Sequence, residues 1–307
     1  MTEAAAQATR CGFAAIIGAP NVGKSTLLNM LVGSKVAIVT PKVQTTRSRI
    51  VGIALVGRAQ IVFVDTPGIF APRKRLDRAM VQAAWSGAEG ADYVLLLIDA
   101  ARARGGVPDA DSAAIIAALE ERGRKAILVL NKVDKARRAD LLKLADTLGG
   151  KDLFSRVFMI SALTGDGVSD LAAHLAGLVP EGPWLYPEDQ VAEVPLRQLA
   201  AEITREKLFL ALHQELPYAL TVETEKWQER RDGSVRIEQV IFVQRNSQKA
   251  IVLGKGGRQI KDIGATARRE LAELLDRKVH LFLFVKVRAG WPDDPERYRE
   301  MGLEFPK

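Results

Sequence analysis

The 307-residue chain is long enough for about two domains, and its 48% hydrophobic content is ordinary for a globular protein. A single cysteine, Cys11, excludes an internal disulfide framework, and three scattered histidines (His174, His213, His280) argue against a histidine-rich zinc site. No apolar run approaches the roughly 20 residues of a membrane-spanning helix, and the Ala-rich, polar stretch from Met1 to Arg10 lacks a signal-peptide core, which predicts a cytoplasmic protein.

The net charge of +7 is unevenly spread. Residues 181–307 hold 21 Lys and Arg against 21 Asp and Glu, yet 245–288 hold 11 against 4. A basic stretch of that kind reads as a nucleic-acid footprint.

The first 180 residues alternate strand-like and helix-like segments. Apolar strands are predicted at Phe13–Ile17, Ile50–Val56, Gln60–Val64, Tyr93–Ile98, Ala126–Leu130 and Val157–Ile160. Helices are predicted at Lys24–Leu31, Leu76–Ala88, Asp109–Glu121, Arg138–Leu148 and Val168–Ala176. The β–α rhythm implies a mainly parallel sheet with helices on both faces. The short Gly57-Arg58-Ala59 spacer predicts one antiparallel hairpin. A proline-rich stretch from Val179 to Asp189, with no helical or strand period, marks a linker. Beyond it the order is α-β-β-α-α-β: Leu196–Gln214, Tyr218–Gln228, Val235–Val243, Gln248–Leu253, Arg258–Leu275 and Val279–Val287. The domains are therefore expected at 1–180 and 196–307, joined by 181–195.

Gly18-Ala19-Pro20-Asn21-Val22-Gly23-Lys24-Ser25, followed by Thr26, fits the phosphate-binding loop between a strand and a helix. Glycines let consecutive backbone N–H groups face phosphate oxygens, and the helix N-terminus adds partial positive charge. Lys24 can reach the β- and γ-phosphates, and the Ser25 hydroxyl can ligate Mg²⁺. Asp65-Thr66-Pro67-Gly68 follows a strand; Asp65 suits Mg²⁺ and Gly68 offers an N–H to the γ-phosphate. In Asn131-Lys132-Val133-Asp134, Asp134 can accept from guanine N1–H and N2–H₂ but finds no such pair on adenine. Asn131 can tie this loop to the phosphate loop, and Lys132 can lie over the base. Ser161-Ala162-Leu163 can present backbone N–H groups to guanine O6.

Together with Gln44-Thr45-Thr46-Arg47, these loops in this order resemble the Era family of bacterial GTPases. The resemblance implies GTP hydrolysis to GDP and phosphate, with Mg²⁺ held by Ser25, Asp65 and a switch threonine. It implies a first switch between Lys35 and Arg49, where either Thr45 or Thr46 closes on Mg²⁺ and the γ-phosphate. A second switch would run from Ile69 to Asp77; its Arg73-Lys74-Arg75 run suits RNA, a partner or solvent equally. Ile69 stands where many GTPases place a water-orienting glutamine, which predicts slow intrinsic hydrolysis. The asparagine Asn21 implies potassium as a stimulating cation.

In the second domain Ile251 to Lys261 fits I-x-x-G-x-x-G-x-x-I, the signature of KH RNA-binding domains. Gly254, Lys255, Gly256 and Gly257, with Arg258 and Lys261, are the expected RNA contacts; a strand of four nucleotides would cross the loop, its bases in an apolar groove flanked by the sheet. The fold class is thus α/β, a P-loop GTPase domain of mixed, mainly parallel sheet, followed by an α+β type II KH domain. The resemblance covers about Phe13 to Phe305. It implies 16S ribosomal RNA near its 3′ end and the 30S subunit as partners, a role in small-subunit maturation, a monomer, and loose association with the inner membrane. Two alternatives are a GTP-binding RNA chaperone without catalysis and a tRNA-modification or signalling GTPase; the GxxG loop argues against the latter.

Overall fold

The computed structural model describes residues 8–42 and 45–306. Contacts divide the chain into two compact units, each taken by itself below: residues Met1–Ala37, Thr46–Glu193 and Met301–Lys307 form the first, and Ile38–Thr45 with Val194–Glu300 form the second. Gln44 of the predicted first switch lies outside the described residues, as does the stretch 1–7.

The first unit is a six-stranded sheet in the order β2-β3-β1-β4-β5-β6. Its strands are β1 (Arg10–Gly18), β2 (Ile50–Val56), β3 (Ala59–Asp65), β4 (Tyr93–Asp99), β5 (Ala126–Asn131) and β6 (Phe154–Met159). Five helices accompany them: α1 (Lys24–Val32), α2 (Arg75–Glu89), α3 (Ala110–Glu121), α4 (Arg138–Gly149) and α5 (Val168–Leu178). β1 pairs in parallel with β3 and β4, and β5 in parallel with β4 and β6. Every residue of β3 and of β5 is buried, as continuous apolar runs covered on both faces require.

Only β2 runs antiparallel, from Ile50 opposite Asp65 to Val56 opposite Ala59. The hairpin turn is two residues, Gly57 and Arg58, rather than three, and Gly57 takes φ +60°, the conformation such tight turns demand.

The stretch expected to be a linker is bonded to the first unit up to Glu193. The N–H of Ile53 donates to Val191 O, and that of Glu193 to Val51 O, so the segment covers the open edge of β2. The buried Gln60 amide oxygen accepts from the N–H groups of Leu185 and Tyr186, and the Trp184 indole donates to Arg58 O. Tyr186 packs on Cys11, Val51 and Val62.

The second unit holds α6 (Leu196–Ala211), β7 (Leu220–Glu229), β8 (Val235–Val243), α7 (Asn246–Leu253), α8 (Arg258–Leu274), β9 (Val279–Val287) and α9 (Pro295–Glu300). Its sheet runs β7-β8-β9, with β7 antiparallel and β9 parallel to β8. The α-β-β-α-α-β order is as predicted. One face of the sheet packs Ile241, Val243 and Val285 against Leu208, Leu212, Val252 and Ile263 of the helical layer. Trp291 is 1% exposed, and its indole N–H donates to Ala219 O, fixing the chain after β9.

The segment Ile38–Thr45 joins this unit by bonding to α6. The Val39 N–H donates to Glu206 Oε1 at 2.9 Å, the Lys42 ammonium donates to the carbonyls of Phe209 and Leu212, and the Arg205 guanidinium donates to Thr45 O. Lys42 thereby supplies the positive charge and donors that the last turn of a helix lacks.

Candidate nucleotide site and RNA loop

The phosphate loop runs from the end of β1 into α1. Gly18 has φ +151°, and a Cβ there would sit 2.5 Å from Leu97 O. Gly23 caps α1 at φ +103°, and a Cβ would come within 2.3 Å of the Asn131 amide nitrogen. Both positions therefore require glycine.

Lys24 is buried, and its ammonium donates to Gly18 O at 3.1 Å and Ala19 O at 3.0 Å, bending back over the loop it serves. Burial lowers its pKa to about 8, although the nearby Asp65 carboxylate opposes the shift.

Three oxygens converge beside it. The Ser25 hydroxyl donates to Asp65 Oδ2 at 2.7 Å and lies 2.9 Å from the Thr46 hydroxyl. Burial pushes the Asp65 carboxyl up to about 6, against the Lys24 ammonium and the Ser25 hydroxyl, which favour its charged form. Asp65 Oδ1 is buried with no hydrogen-bond partner. An all-oxygen set with an orphaned carboxylate oxygen is the donor chemistry that Mg²⁺ takes, so the residues fit the ion.

The two threonines have different partners. Thr46 is the one at Ser25; the Thr45 hydroxyl instead bonds with Thr40 Oγ1 at 2.7 Å and Lys42 O at 2.8 Å. In this structure the hydroxyl of Thr45, expected as an equal candidate, therefore lies with Thr40 and Lys42 rather than with Ser25. Gly68 lies against Pro20, 3.0 Å from where its Cβ would be, and the Ile69 N–H donates to Gly18 O. Thr66 is buried and its hydroxyl donates to Ile16 O at 2.9 Å.

The base-recognition loops are tied to the phosphate loop as expected. The Asn131 amide donates to Val22 O at 2.7 Å and accepts from the Ala162 N–H at 2.9 Å, so one side chain aligns three loops. Lys132, at φ +66°, donates to Asn21 O at 2.6 Å and to Asp99 Oδ2 at 2.7 Å. Asp134 is exposed and Ser161 buried, while Leu163 is exposed at the mouth of its loop.

Two residues of this site escaped the sequence reading. Asp99, at the end of β4, is 3% exposed and anchors Lys132. Asn29 of α1 accepts from the N–H groups of Val36 and Ala37 and donates to Ala37 O, gripping the chain as it leaves α1. The strand-end position of Asp99, level with Asn131 across β4 and β5, was the available signal.

In the second unit Lys255–Gly257 makes one tight turn between α7 and α8. Gly254, Gly256 and Gly257 take φ of +71°, +62° and +74°. Space around Gly256 and Gly257 is open, whereas a Cβ on Gly254 would meet the Gln259 Cβ at 2.7 Å. Lys255, Arg258 and Lys261 are exposed, so the loop offers cations and bare backbone to an incoming anion.

Comparison with known proteins gives a family description of "50S ribosome-binding GTPase" for residues 13–132 and "KH domain" for 215–292. The chain is similar to GTPase Era of Rhizobium meliloti, 64% identical over 306 residues that cover 100% of this chain and 96% of that protein. GTPase Era of Agrobacterium fabrum is 62% identical over 299 residues, covering 97% and 93%. The chain belongs to the Era family of GTPases.

Era structures agree with the fold. A variant of Aquifex aeolicus Era bound to GDP and aluminium fluoride has a TM-score of 0.88 at 38% identity, covering 96% of this chain and 99% of that one. Era in complex with MgGDPNP and nucleotides 1506–1542 of 16S ribosomal RNA gives 0.89 at 38% identity, with the same coverage. A P-loop GTPase domain followed by a KH domain is therefore the architecture, and the enzyme class is GTPase.

Proposed function

We propose that the protein is a GTP-driven switch that binds 16S ribosomal RNA near its 3′ end and acts in maturation of the small ribosomal subunit. The observation that carries the GTP half is the convergence of Ser25, Thr46 and Asp65 beside a buried Lys24. The RNA half is supported by the open, glycine-rich turn at Lys255–Gly257 and by the 16S RNA fragment bound to a related Era.

Lys24 brings a positive charge to the phosphates in a dry pocket, where charge is worth more than in water. Asp134 selects guanine, and Asn131 keeps base and phosphate loops in register. Ser25, Thr46 and Asp65 would hold Mg²⁺, which would supply neutralisation of the charge that develops on the phosphates. No covalent intermediate is required; positioning and charge stabilisation suffice.

Ile69 is buried and apolar, so its side chain orients no water. Intrinsic turnover is accordingly slow, and K⁺ bound at Asn21 and the RNA itself are the proposed accelerators. The protein works as a monomer in the cytoplasm, with loose attachment to the inner membrane; no helix among the described residues is long and apolar enough to cross one.

The test is single-turnover GTP hydrolysis in K⁺ and in Na⁺, with and without a 16S 3′-end RNA, for wild type and the Lys255→Asp/Gly256→Asp variant. These positions are chosen because Gly254 has no room for a side chain, whereas aspartate tolerates the open left-handed site at 256. Loss of RNA stimulation with unchanged basal turnover is expected. Stimulation that survives the two added charges would remove the loop from the RNA path, and equal rates in the two salts would remove K⁺.

A further inference from the structure

The predicted second switch ends where α2 begins, and it is anchored at both ends. Asp77 is buried, and its Oδ2 accepts from the Arg73 N–H at 3.0 Å and the Lys74 N–H at 2.9 Å. At the other end the Ile69 N–H donates to Gly18 O at 3.1 Å. Residues 70–72 alone separate these anchors. A shift in where α2 starts therefore passes within a few residues to Gly68, whose N–H is the one expected at the γ-phosphate.

The start of α2 is electrostatically unfavourable. Residues 73–78 hold Arg73, Lys74, Arg75 and Arg78 against one acid, Asp77. Cations at a helix N-terminus face the positive end of its dipole. Asp77 engages two backbone N–H groups there. A further hold comes from a segment distant in sequence. Met301–Lys307 belongs to the first unit, although α9, which ends at Glu300 directly before it, belongs to the second. Leu303 of this segment is 4% exposed, so the segment is packed. The Arg75 guanidinium carbon lies 5.0 Å from the centroid of the Phe305 ring. The Gln82 amide donates to Glu304 Oε2 at 2.9 Å. Arg75 and Gln82 are two helical turns apart and share one face of α2. The negative face of the Phe305 ring offsets the Arg75 charge at the point where the helix dipole opposes it.

We propose that Phe305 is a positioning residue for GTP binding and hydrolysis. It acts through Arg75: by holding the first residue of α2 it fixes the α2 end of the second switch, with Glu304 on Gln82 as a second hold. A switch already ordered is the state that a γ-phosphate contacts, so the clamp raises the fraction of protein competent for GTP and leaves GDP, which has no γ-phosphate, unaffected. The chain runs without a spacer from the KH unit into the segment that makes this clamp.

The experiment measures the affinity of the full-length protein for fluorescent GDPNP and GDP in Mg²⁺, with thermal melting to check folding. Phe305→Leu keeps apolar bulk and removes the ring. It is expected to weaken GDPNP about threefold, the scale of one partly exposed cation–π contact, with GDP unchanged. Phe305→Tyr keeps the ring face and is expected to restore wild-type GDPNP affinity. Glu304→Ala, at an exposed position, is expected to weaken GDPNP in the same direction. Trypsin should cut after Arg73 and Lys74 faster in the GDPNP complex of Phe305→Leu, and at the wild-type rate in that of Phe305→Tyr. Equal losses for the two nucleotides, or no loss, overturn the proposal and leave the segment as packing alone. A tyrosine variant as weak as the leucine variant overturns the role of the ring. Should Phe305→Leu fail to fold, Glu304→Ala decides, and an unchanged ratio of GDPNP to GDP affinity overturns the clamp.

Discussion

The hydroxyl of Ser25 lies 2.9 Å from the hydroxyl of Thr46, and the same Ser25 oxygen donates to Asp65 at 2.7 Å. Three loops of the first unit thus place one oxygen each around a single point. The Thr45 hydroxyl bonds elsewhere, to Thr40 and Lys42. Thr46→Ala should therefore lower Mg²⁺-dependent single-turnover hydrolysis roughly a hundredfold, as expected for losing one preorganised contact to developing charge. Thr45→Ala should stay within about threefold of wild type by the same reasoning. Comparable losses in the two variants would contradict the assignment.

Protonation makes a second prediction. Asp65 is raised to about 6, so its contribution to folding is present below its unfolded value of 3.8 and is lost as pH rises through about 6. Lys24 is lowered to about 8, so its contribution is present above 10.5 and is lost as pH falls through about 8. Between about 6 and 8 both groups are charged and buried, and the nucleotide-free site is at its least comfortable. GDP binding at pH 8 should take up about half a proton, because phosphate restores the Lys24 ammonium. At pH 6, Mg²⁺ binding should release more protons in wild type than in Asp65→Asn. Calorimetry in buffers of different ionisation enthalpy reads both, and a heat independent of buffer would refute them.

Asp99 supplies a third. It holds Lys132 at 2.7 Å while that lysine also reaches Asn21 O, so the base loop and phosphate loop share an anchor. Removing the carboxylate leaves a left-handed Lys132 with Asn21 O but without its ion-pair partner. Asp99→Ala should weaken GTP and GDP binding by about tenfold while the hydrolysis rate at saturation changes little, since nothing at the γ-phosphate is touched. Equilibrium binding with a fluorescent guanine nucleotide, beside single-turnover rates, separates the two; an effect confined to the rate would argue against a binding role.

These assignments differ in how far they could be read from residue order. The phosphate loop was legible because its chemistry is local: Gly18, Gly23, Lys24 and Ser25 act through backbone and side chains within one turn. The β2–β3 hairpin was legible for the same reason. Asp99 was not, because an acid at the end of a strand is common and its partner is brought near only by the pairing of β4 with β5. The edge cover from Val191 to Glu193 was hidden because a strand added by two hydrogen bonds has no apolar alternation. Thr45 and Thr46 present the same hydroxyl, and only the direction of the chain tells them apart.

Nothing in residue order announced that Ile38–Thr45 belongs with α6, and this yields the last prediction. Arg205 is 1% exposed; it pairs with Glu202, places its guanidinium carbon 5.1 Å from the Phe209 ring centroid, within the roughly 6 Å of a cation–π contact, and donates to Thr45 O. Thr45 is followed directly by Thr46, so whatever fixes the Thr45 carbonyl also fixes the start of the peptide unit leading into the residue proposed above to ligate Mg²⁺. Arg205→Gln removes the ion pair and the fork of donors but keeps a long polar side chain. Two consequences are expected. Trypsin should cut after Lys42 several-fold faster, because the segment loses a tether while Lys42 remains the cleavable residue. Half-maximal hydrolysis should need several-fold more Mg²⁺, with the rate at saturating Mg²⁺ close to wild type. Arg205→Lys, which keeps the charge, should fall between the two. If cleavage accelerates but the Mg²⁺ requirement stays put, Arg205 only packs the second unit; if neither moves, the Thr45 contact contributes nothing to the switch.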